Sequence, residues 1–144
     1  MTPFLIEPGE DMIIEDLLVE NVAVSADYWR HLGNPSQSRN RPLIALHPTV
    51  NQYMHTKAPG TIRRARFRNL SLSGEARPGS YPIWIHGKPG KHGVSDVTFE
   101  NISWFGTTLT STDQPPFRIE GNSSGVRLAK GKPRRSGSSS PAQR

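Results

Sequence analysis

Residues 94–106 read VSDVTFENISWFG, and the same line occurs twice before, as IEDLLVENVAVS from Ile14 and IRRARFRNLSLSG from Ile62. In each copy apolar and polar residues alternate up to an asparagine, then alternate again on the opposite parity. The three asparagines are Asn21, Asn69 and Asn101. Because a straight strand keeps its inward side chains on one parity, the shift predicts a corner at each asparagine, between two strands that face one core.

Asparagine suits such a corner because it tolerates the left-handed backbone conformation better than other non-glycine residues. Its amide can also hydrogen-bond to an equivalent amide in the next layer. We therefore predict that Asn21, Asn69 and Asn101 form a structural ladder through successive layers of the fold.

A second line recurs between these copies, as RPLIALHP (41–48), YPIWIHG (81–87) and PFRIEG (116–121). The chain thus cycles through strand, corner, strand, loop, strand and turn. Similarity at a period of a few tens of residues is typical of stacked repeats, and an apolar period of two with many Val, Ile, Phe and Thr residues disfavours helical repeats. A β-sandwich is the alternative, but it does not explain why the copies resemble one another.

The fold predicted is therefore all-β: a short right-handed parallel β-helix of about three to four coils over residues 1–128. The line I-x-x-V-x-F-x-N-I-x-hydrophobic resembles the pectin-lyase-like right-handed parallel β-helix superfamily, and most closely the polygalacturonase-like glycoside hydrolases. The resemblance covers about residues 10–128. Since such proteins generally have many more coils, it implies that this chain corresponds to their C-terminal coils, as a cut piece or a truncated descendant.

The resemblance also implies what chemistry to look for. These hydrolases invert the configuration at the anomeric carbon with paired carboxylates. The family carries the carboxylates in N-T-D and D-D motifs, which are followed by G-H-G and R-I-K. This sequence has neither aspartate motif, so no catalytic residue is predicted and the chain alone is expected to be inactive. Its nearest fragments are residues 91–93, KHG, and 118–120, RIE. They make His92 and Arg118 candidate substrate-binding residues, since the planar guanidinium of Arg118 can bind a carboxylate.

The loop of residues 47–60, HPTVNQYMHTKAPG, is the most individual stretch of the chain. Its imidazole, amide and aromatic groups suit sugar hydroxyls and ring faces, so His47, Asn51 and Tyr53 complete the candidate substrate-binding residues. A packed insertion without a ligand is the alternative. Stacked coils could also bring His47 beside His86, but no ligand spacing matches a metal motif. No metal or cofactor is predicted.

The acidic residues Glu15, Asp16, Glu20, Asp96 and Glu100 fall at outward parities and are expected to be solvated. The formal charge of +6 has a different origin. Residues 127–144 hold six basic and no acidic residues, which leaves 12 of each in the rest of the chain. Residues 129–144 are predicted to be a disordered basic tail, and no motif for specific nucleic-acid binding accompanies it.

The N-terminus does not resemble a secretory signal, no apolar run is long enough to cross a bilayer, and no membrane partner is expected. The absence of cysteine leaves the compartment undetermined, although relatives of the family are often secreted or periplasmic. The chain is expected to be the C-terminal β-helix portion of a polysaccharide-acting glycoside hydrolase, with a polysaccharide or oligosaccharide as its binding partner. The alternative is a stand-alone, non-catalytic module that binds a glycan or a protein, and exposed coil edges could also support self-association.

Overall fold

A computed structural model describes residues 2–26, 41–75 and 81–129. The predicted disordered tail lies outside the described residues except for Ala129, which ends a strand. The described residues form thirteen strands, twelve of which fall into four successive groups of three, here called rungs one to four.

Rung one holds β1 (Phe4–Ile6), β2 (Ile13–Glu15) and β3 (Leu18–Ser25), and rung two holds β4 (Ile44–Leu46), β5 (Thr61–Arg63) and β6 (Arg66–Ser73). Rung three holds β7 (Ile83–Gly87), β8 (Val94–Ser95) and β9 (Thr98–Trp104). After the short β10 (Thr107–Thr108), rung four holds β11 (Phe117–Gly121), β12 (Ser123–Ser124) and β13 (Arg127–Ala129).

Each rung gives one strand to each of three sheets. The first sheet has the order β1-β4-β7-β11, the second β2-β5-β8-β12, and the third β3-β6-β9, with β13 next to β9. Every pair between rungs is parallel, whereas β10 forms an antiparallel hairpin with β9. The prediction of an all-β chain with parallel sheets is confirmed, because a β-sandwich would pair its strands antiparallel.

The asparagines lie at one position of the third sheet, midway along β3, β6 and β9. All three have left-handed backbones, with φ of 59° at Asn21, 54° at Asn69 and 52° at Asn101. The amide of Asn69 donates to Oδ1 of Asn21 over 3.0 Å, and that of Asn101 donates to Oδ1 of Asn69 over 2.9 Å. The three amides therefore form a chain through three rungs, in which Asn101 donates to Asn69 and Asn69 donates to Asn21.

A second corner, between the second and third sheets, has no such signature in the sequence. Its left-handed positions carry four residues of three types, with φ from 54° to 63°: Asp16, Arg64, Asp96 and Gly125. Because the backbone rather than one residue type defines this corner, the sequence does not reveal it.

The core lies between the three sheets and is built from stacked like residues. Phe67 and Phe99 are register partners in β6 and β9, are fully buried, and stack with ring centroids 5.2 Å apart. Their counterpart in rung one, Val19, is only partly buried. The same holds for other rung-one positions that face this core, which are Phe4, Ile6, Leu17, Val22 and Val24. At rung four Ile119 is 37% exposed, and Val126 and Leu128 are only partly buried. The core is therefore closed in the middle rungs and open at both end rungs.

The outward acids of rung one are not simply solvated as expected. Residues 2–26 contain six acidic and no basic residues, and rung two places arginines beside three of them. Arg63 and Arg64 contact Glu15 at 2.5 and 2.6 Å, Arg64 also contacts Asp16 at 2.8 Å, and Arg68 pairs with Glu20. These hydrogen bonds hold the pKa of Glu15 and of Asp16 below their ordinary values. Ion pairs between rungs thus accompany the backbone ladder.

Candidate functional site

The outer face of the first sheet carries the richest group of polar and aromatic side chains. Ile83 and Ile85 of β7 point into the core, so Trp84 and His86 point outward. His47 follows β4, and Arg118 and Glu120 lie on β11. We call His47, Trp84, His86, Arg118 and Glu120 the histidine–tryptophan patch.

Glu120 organises one half of the patch. Its carboxylate accepts a hydrogen bond from the indole Nε1 of Trp84 over 3.1 Å and another from the Arg118 guanidinium over 3.0 Å. These two hydrogen bonds lower the pKa of Glu120. The carboxylate is therefore ionised near neutral pH, where it accepts hydrogen bonds and fixes the orientation of the indole ring.

Two stacked imidazoles form the other half. The rings of His47 and His86 lie 5.3 Å apart with an interplanar angle of 20°, and Trp84 lies 4.7 Å from the His47 ring. His47 Nδ1 is 3.7 Å from the carboxylate of Glu7. Burial, followed by the nearby Lys88 and His86, lowers the pKa of His47, while Glu7 opposes that shift. A neutral His47 at neutral pH leaves the patch with aromatic faces beside one guanidinium and one carboxylate.

The remaining predicted residues lie elsewhere. His92 approaches Asp11, with Nδ1 3.9 Å from Oδ1. Asn51 stabilises its own loop, because its Oδ1 accepts from the Tyr53 backbone N–H over 2.9 Å and its carbonyl accepts from Lys57. Tyr53 is 82% exposed. Among the described residues, no hydrogen bond or ring contact joins these three to the patch, whereas Arg118 and His47 belong to it.

The substrate-binding residues predicted from the sequence include neither Trp84 nor Glu120. Both could have been found from parity, because each lies on the outward phase of a repeat whose inward phase is apolar. The line YPIWIHG predicts two inward isoleucines, and residues 118–120 differ from R-I-K in having Glu120 in place of the lysine. In the structure that carboxylate holds the tryptophan.

The patch lacks the geometry for acid–base hydrolysis of a glycoside. The carboxylate of the patch, Glu120, and that of the neighbouring Glu7 lie on rungs four and one in one row, with His47 and His86 between them. Three strand spacings separate them by about 14 Å, while inverting hydrolases need about 6.5–9.5 Å. Within the described residues, no group of three or more histidine, aspartate or glutamate side chains is arranged to hold a metal ion.

No protein-family model, curated protein or solved structure matches this chain. A search of the described residues for a helix long and apolar enough to cross a membrane finds none.

Proposed function

We propose that this chain is the C-terminal, sugar-contacting portion of a right-handed parallel β-helix of the polygalacturonase-like type, which acts on polysaccharide but has no catalytic carboxylates here. The observation that carries the proposal is the histidine–tryptophan patch. It presents an indole held by Glu120, two stacked imidazoles and an arginine fork on the exposed face of a sheet. Aromatic faces pack against the apolar faces of sugar rings, and the guanidinium and carboxylate bind hydroxyl or carboxylate groups.

The open end of the core supports the larger β-helix. β1, β2 and β3 are edge strands of all three sheets and lie on the same rung. Asn21 accepts from Asn69, and no acceptor for its own amide N–H lies among the described residues. Partly buried core residues, three strands with one edge unpaired among the described residues, and an asparagine ladder that ends in a donor all suit a further parallel rung stacked on rung one.

Binding of a short oligogalacturonate, measured by isothermal titration calorimetry, tests the role of the patch. Trp84→Ala is expected to weaken binding at least tenfold because the ring platform is lost. Val50→Ala, which removes an exposed apolar side chain outside the patch, is the control and should change affinity less than twofold. Equal affinities for the wild-type protein and Trp84→Ala would refute the proposal.

A stand-alone, non-catalytic glycan-binding module is the second candidate, favoured by the separation of about 14 Å between Glu7 and Glu120. Both candidates predict no release of reducing ends from polygalacturonate by this chain. They differ in what they predict for the edge strands of rung one. A stand-alone module is expected not to pair these edges with another rung, whereas the portion of a larger β-helix is. A monomer with full glycan affinity and no tendency to associate would favour the module over the β-helix portion.

A further inference from the structure

The two ends of the rung stack carry free strand edges that point in opposite directions along it. Among the described residues, β1, β2 and β3 pair only with rung two, and β11, β12 and β13 pair only with rung three. All of these pairs are parallel. A second copy stacked head to tail, with its rung four on rung one, would therefore continue every sheet with parallel pairing, whereas two rung-one ends placed face to face would pair their strands antiparallel.

Exposed apolar side chains gather at these two ends. Leu5, Ile13 and Leu18 each lie on a different strand of rung one and are 52%, 53% and 51% exposed, and Ile119 of rung four is 37% exposed. An open groove of about 410 Å³ at rung one is lined mostly by residues 5–14. Covering such side chains with another rung removes apolar surface from water, which favours association.

The register decides which side chains a head-to-tail contact would bring together. Each sheet repeats one residue position per rung, so the rung-four member of a column would lie next to the rung-one member of the same column in the next copy. In three core columns both members are apolar: Phe117 with Phe4, Ile119 with Ile6, and Leu128 with Val19. The partly open core of one copy would thus be closed by that of the next.

Charge favours the head-to-tail arrangement over a head-to-head one. Residues 2–26 hold six acidic and no basic residues, whereas rung four holds Arg118 and Arg127 with Glu120 as its only acid. Residues 130–144, which follow rung four, hold five basic and no acidic residues. Head-to-tail contact brings ends of opposite charge together, and head-to-head contact at rung one would bring two acidic ends together.

One column opposes the contact. Glu120 would lie next to Glu7 of the next copy, since both occupy the column of His47 and His86. Arg118 lies on the same face two residues before Glu120 and already donates to its carboxylate over 3.0 Å. A guanidinium is therefore at hand to offset the repulsion between the two carboxylates.

We infer that copies of this chain stack head to tail, with rung four of one copy on rung one of the next. The contact uses two different surfaces of the chain, so it is heterologous and leaves one free end of each kind. Association then continues into open-ended stacks instead of stopping at a dimer. The inference goes beyond the proposed function, because it concerns the ends of the rung stack and does not depend on sugar binding by the histidine–tryptophan patch.

Disulfide formation between two single-cysteine variants tests which ends meet. Leu18 and Arg127 occupy one column of the third sheet, so a head-to-tail contact would place their Cα atoms about 4.8 Å apart, within disulfide range. Under mild oxidation an equimolar mixture of Leu18→Cys and Arg127→Cys should form the mixed disulfide at least tenfold faster than Leu18→Cys with Val50→Cys. Val50→Cys is the control because Val50 is exposed but lies outside both end rungs.

Intact mass spectrometry separates the mixed disulfide from the two symmetric ones. A mixed disulfide that forms no faster than in the control, or a symmetric Leu18→Cys disulfide that forms faster than the mixed one, would overturn the inference.

Lysine at either end should block the stack, and mixing the two blocked variants should restore one contact. Leu18→Lys keeps a free rung four and Ile119→Lys keeps a free rung one. In light scattering at high concentration each variant alone should stay monomeric, while their equimolar mixture should approach the mass of a dimer. Association of Ile119→Lys on its own, or a mixture that stays monomeric, would contradict head-to-tail stacking.

Circular dichroism checks that Ile119→Lys is folded, and the cysteine pair tests the contact without that variant. Neither experiment uses a sugar, and the oligogalacturonate titration can be repeated on Leu18→Lys, which lies outside the patch. Failure of the stack is therefore distinguishable from failure of the proposed function.

Discussion

At the scale of single residues, the backbone corners decide which side chains meet. The asparagine corner could be predicted because one residue type recurs at the point where parity changes. The corner at Asp16, Arg64, Asp96 and Gly125 could not, because its members share a left-handed φ and no chemistry. The alignment of these four residues is visible only once the strands are paired.

Asn69 should be the most sensitive of the corner residues, since it both donates to and accepts from its neighbours in the ladder. We expect Asn69→Ala to lower the free energy of unfolding by about 2–3 kcal/mol, through left-handed strain and lost amide bonds. Asn69→Gly, which removes the amides but tolerates the backbone, should cost about 1 kcal/mol less. Urea denaturation checks both, and no effect of either variant would show that the ladder does not stabilise the fold.

The depressed pKa of His47 predicts a pH effect with a definite sign. The unfolded state binds a proton below about pH 6.5 while folded His47 resists protonation, so the free energy of unfolding should fall as pH drops through that value. His47→Gln should abolish this slope below about pH 6.5. The lowered pKa values of Glu15, Asp16 and Glu120 act separately, because their stabilisation is lost only as pH falls below about 4.5.

If the free energy of unfolding of His47→Gln fell with pH as steeply as that of the wild type, His47 would not be the group responsible for the pH effect. The measurement is urea denaturation of both proteins at several pH values, with folding checked by circular dichroism.

At the scale of elements, alternation predicts which residues of a strand face the core but not which outward residues meet. Phe67 and Phe99 occupy equivalent positions in the repeat, and their stacking follows from the parallel register. The histidine–tryptophan patch needs side chains from three rungs, so its geometry depends on the register between distant segments. The ligand contact that composition predicts for the loop of residues 47–60 stays a prediction, and in the structure the Asn51 side chain hydrogen-bonds within the loop.

Removal of a core ring tests the packing between β6 and β9. Phe67→Ala leaves a cavity between rungs and should lower the free energy of unfolding by about 3–5 kcal/mol. Tyr53→Ala, at an exposed position, should change it by less than about 0.5 kcal/mol. Chemical denaturation of both variants provides the comparison, and similar small losses would contradict a closed core in the middle rungs.

At the scale of the whole molecule, the two ends of the rung stack differ. The stretch that holds rung one, residues 2–26, has six acidic and no basic residues, whereas rung four carries Arg118 and Arg127 with Glu120 as its only acid. Both end rungs supply edge strands and leave core side chains partly exposed. The composition placed the net charge in the C-terminal segment but gave no sign that acids and arginines separate onto successive rungs. That separation becomes visible only after the repeat has been wound into layers.

The open rung should make the protein self-associate. Leu18, at the start of edge strand β3, is 51% exposed, and Leu18→Lys should lower the average mass seen by light scattering at high concentration, because edge lysines oppose strand pairing. Val50→Lys, at an exposed apolar position in the 47–60 loop, is the control and should leave association unchanged. A wild-type protein that stays monomeric throughout would contradict the account of rung one.

The most direct test of the stacked rungs is disulfide formation between introduced cysteines, since the chain has none of its own. Ala23, Ser71 and Ser103 are successive register partners in β3, β6 and β9. Neighbouring rungs place Cα atoms about 4.8 Å apart, within disulfide range, whereas alternate rungs are about 9.6 Å apart and too distant. If the rungs are stacked in parallel, Ala23→Cys/Ser71→Cys and Ser71→Cys/Ser103→Cys should each form a disulfide, and Ala23→Cys/Ser103→Cys should not. A disulfide in the third variant, or none in the first two, would contradict the stacking of the rungs.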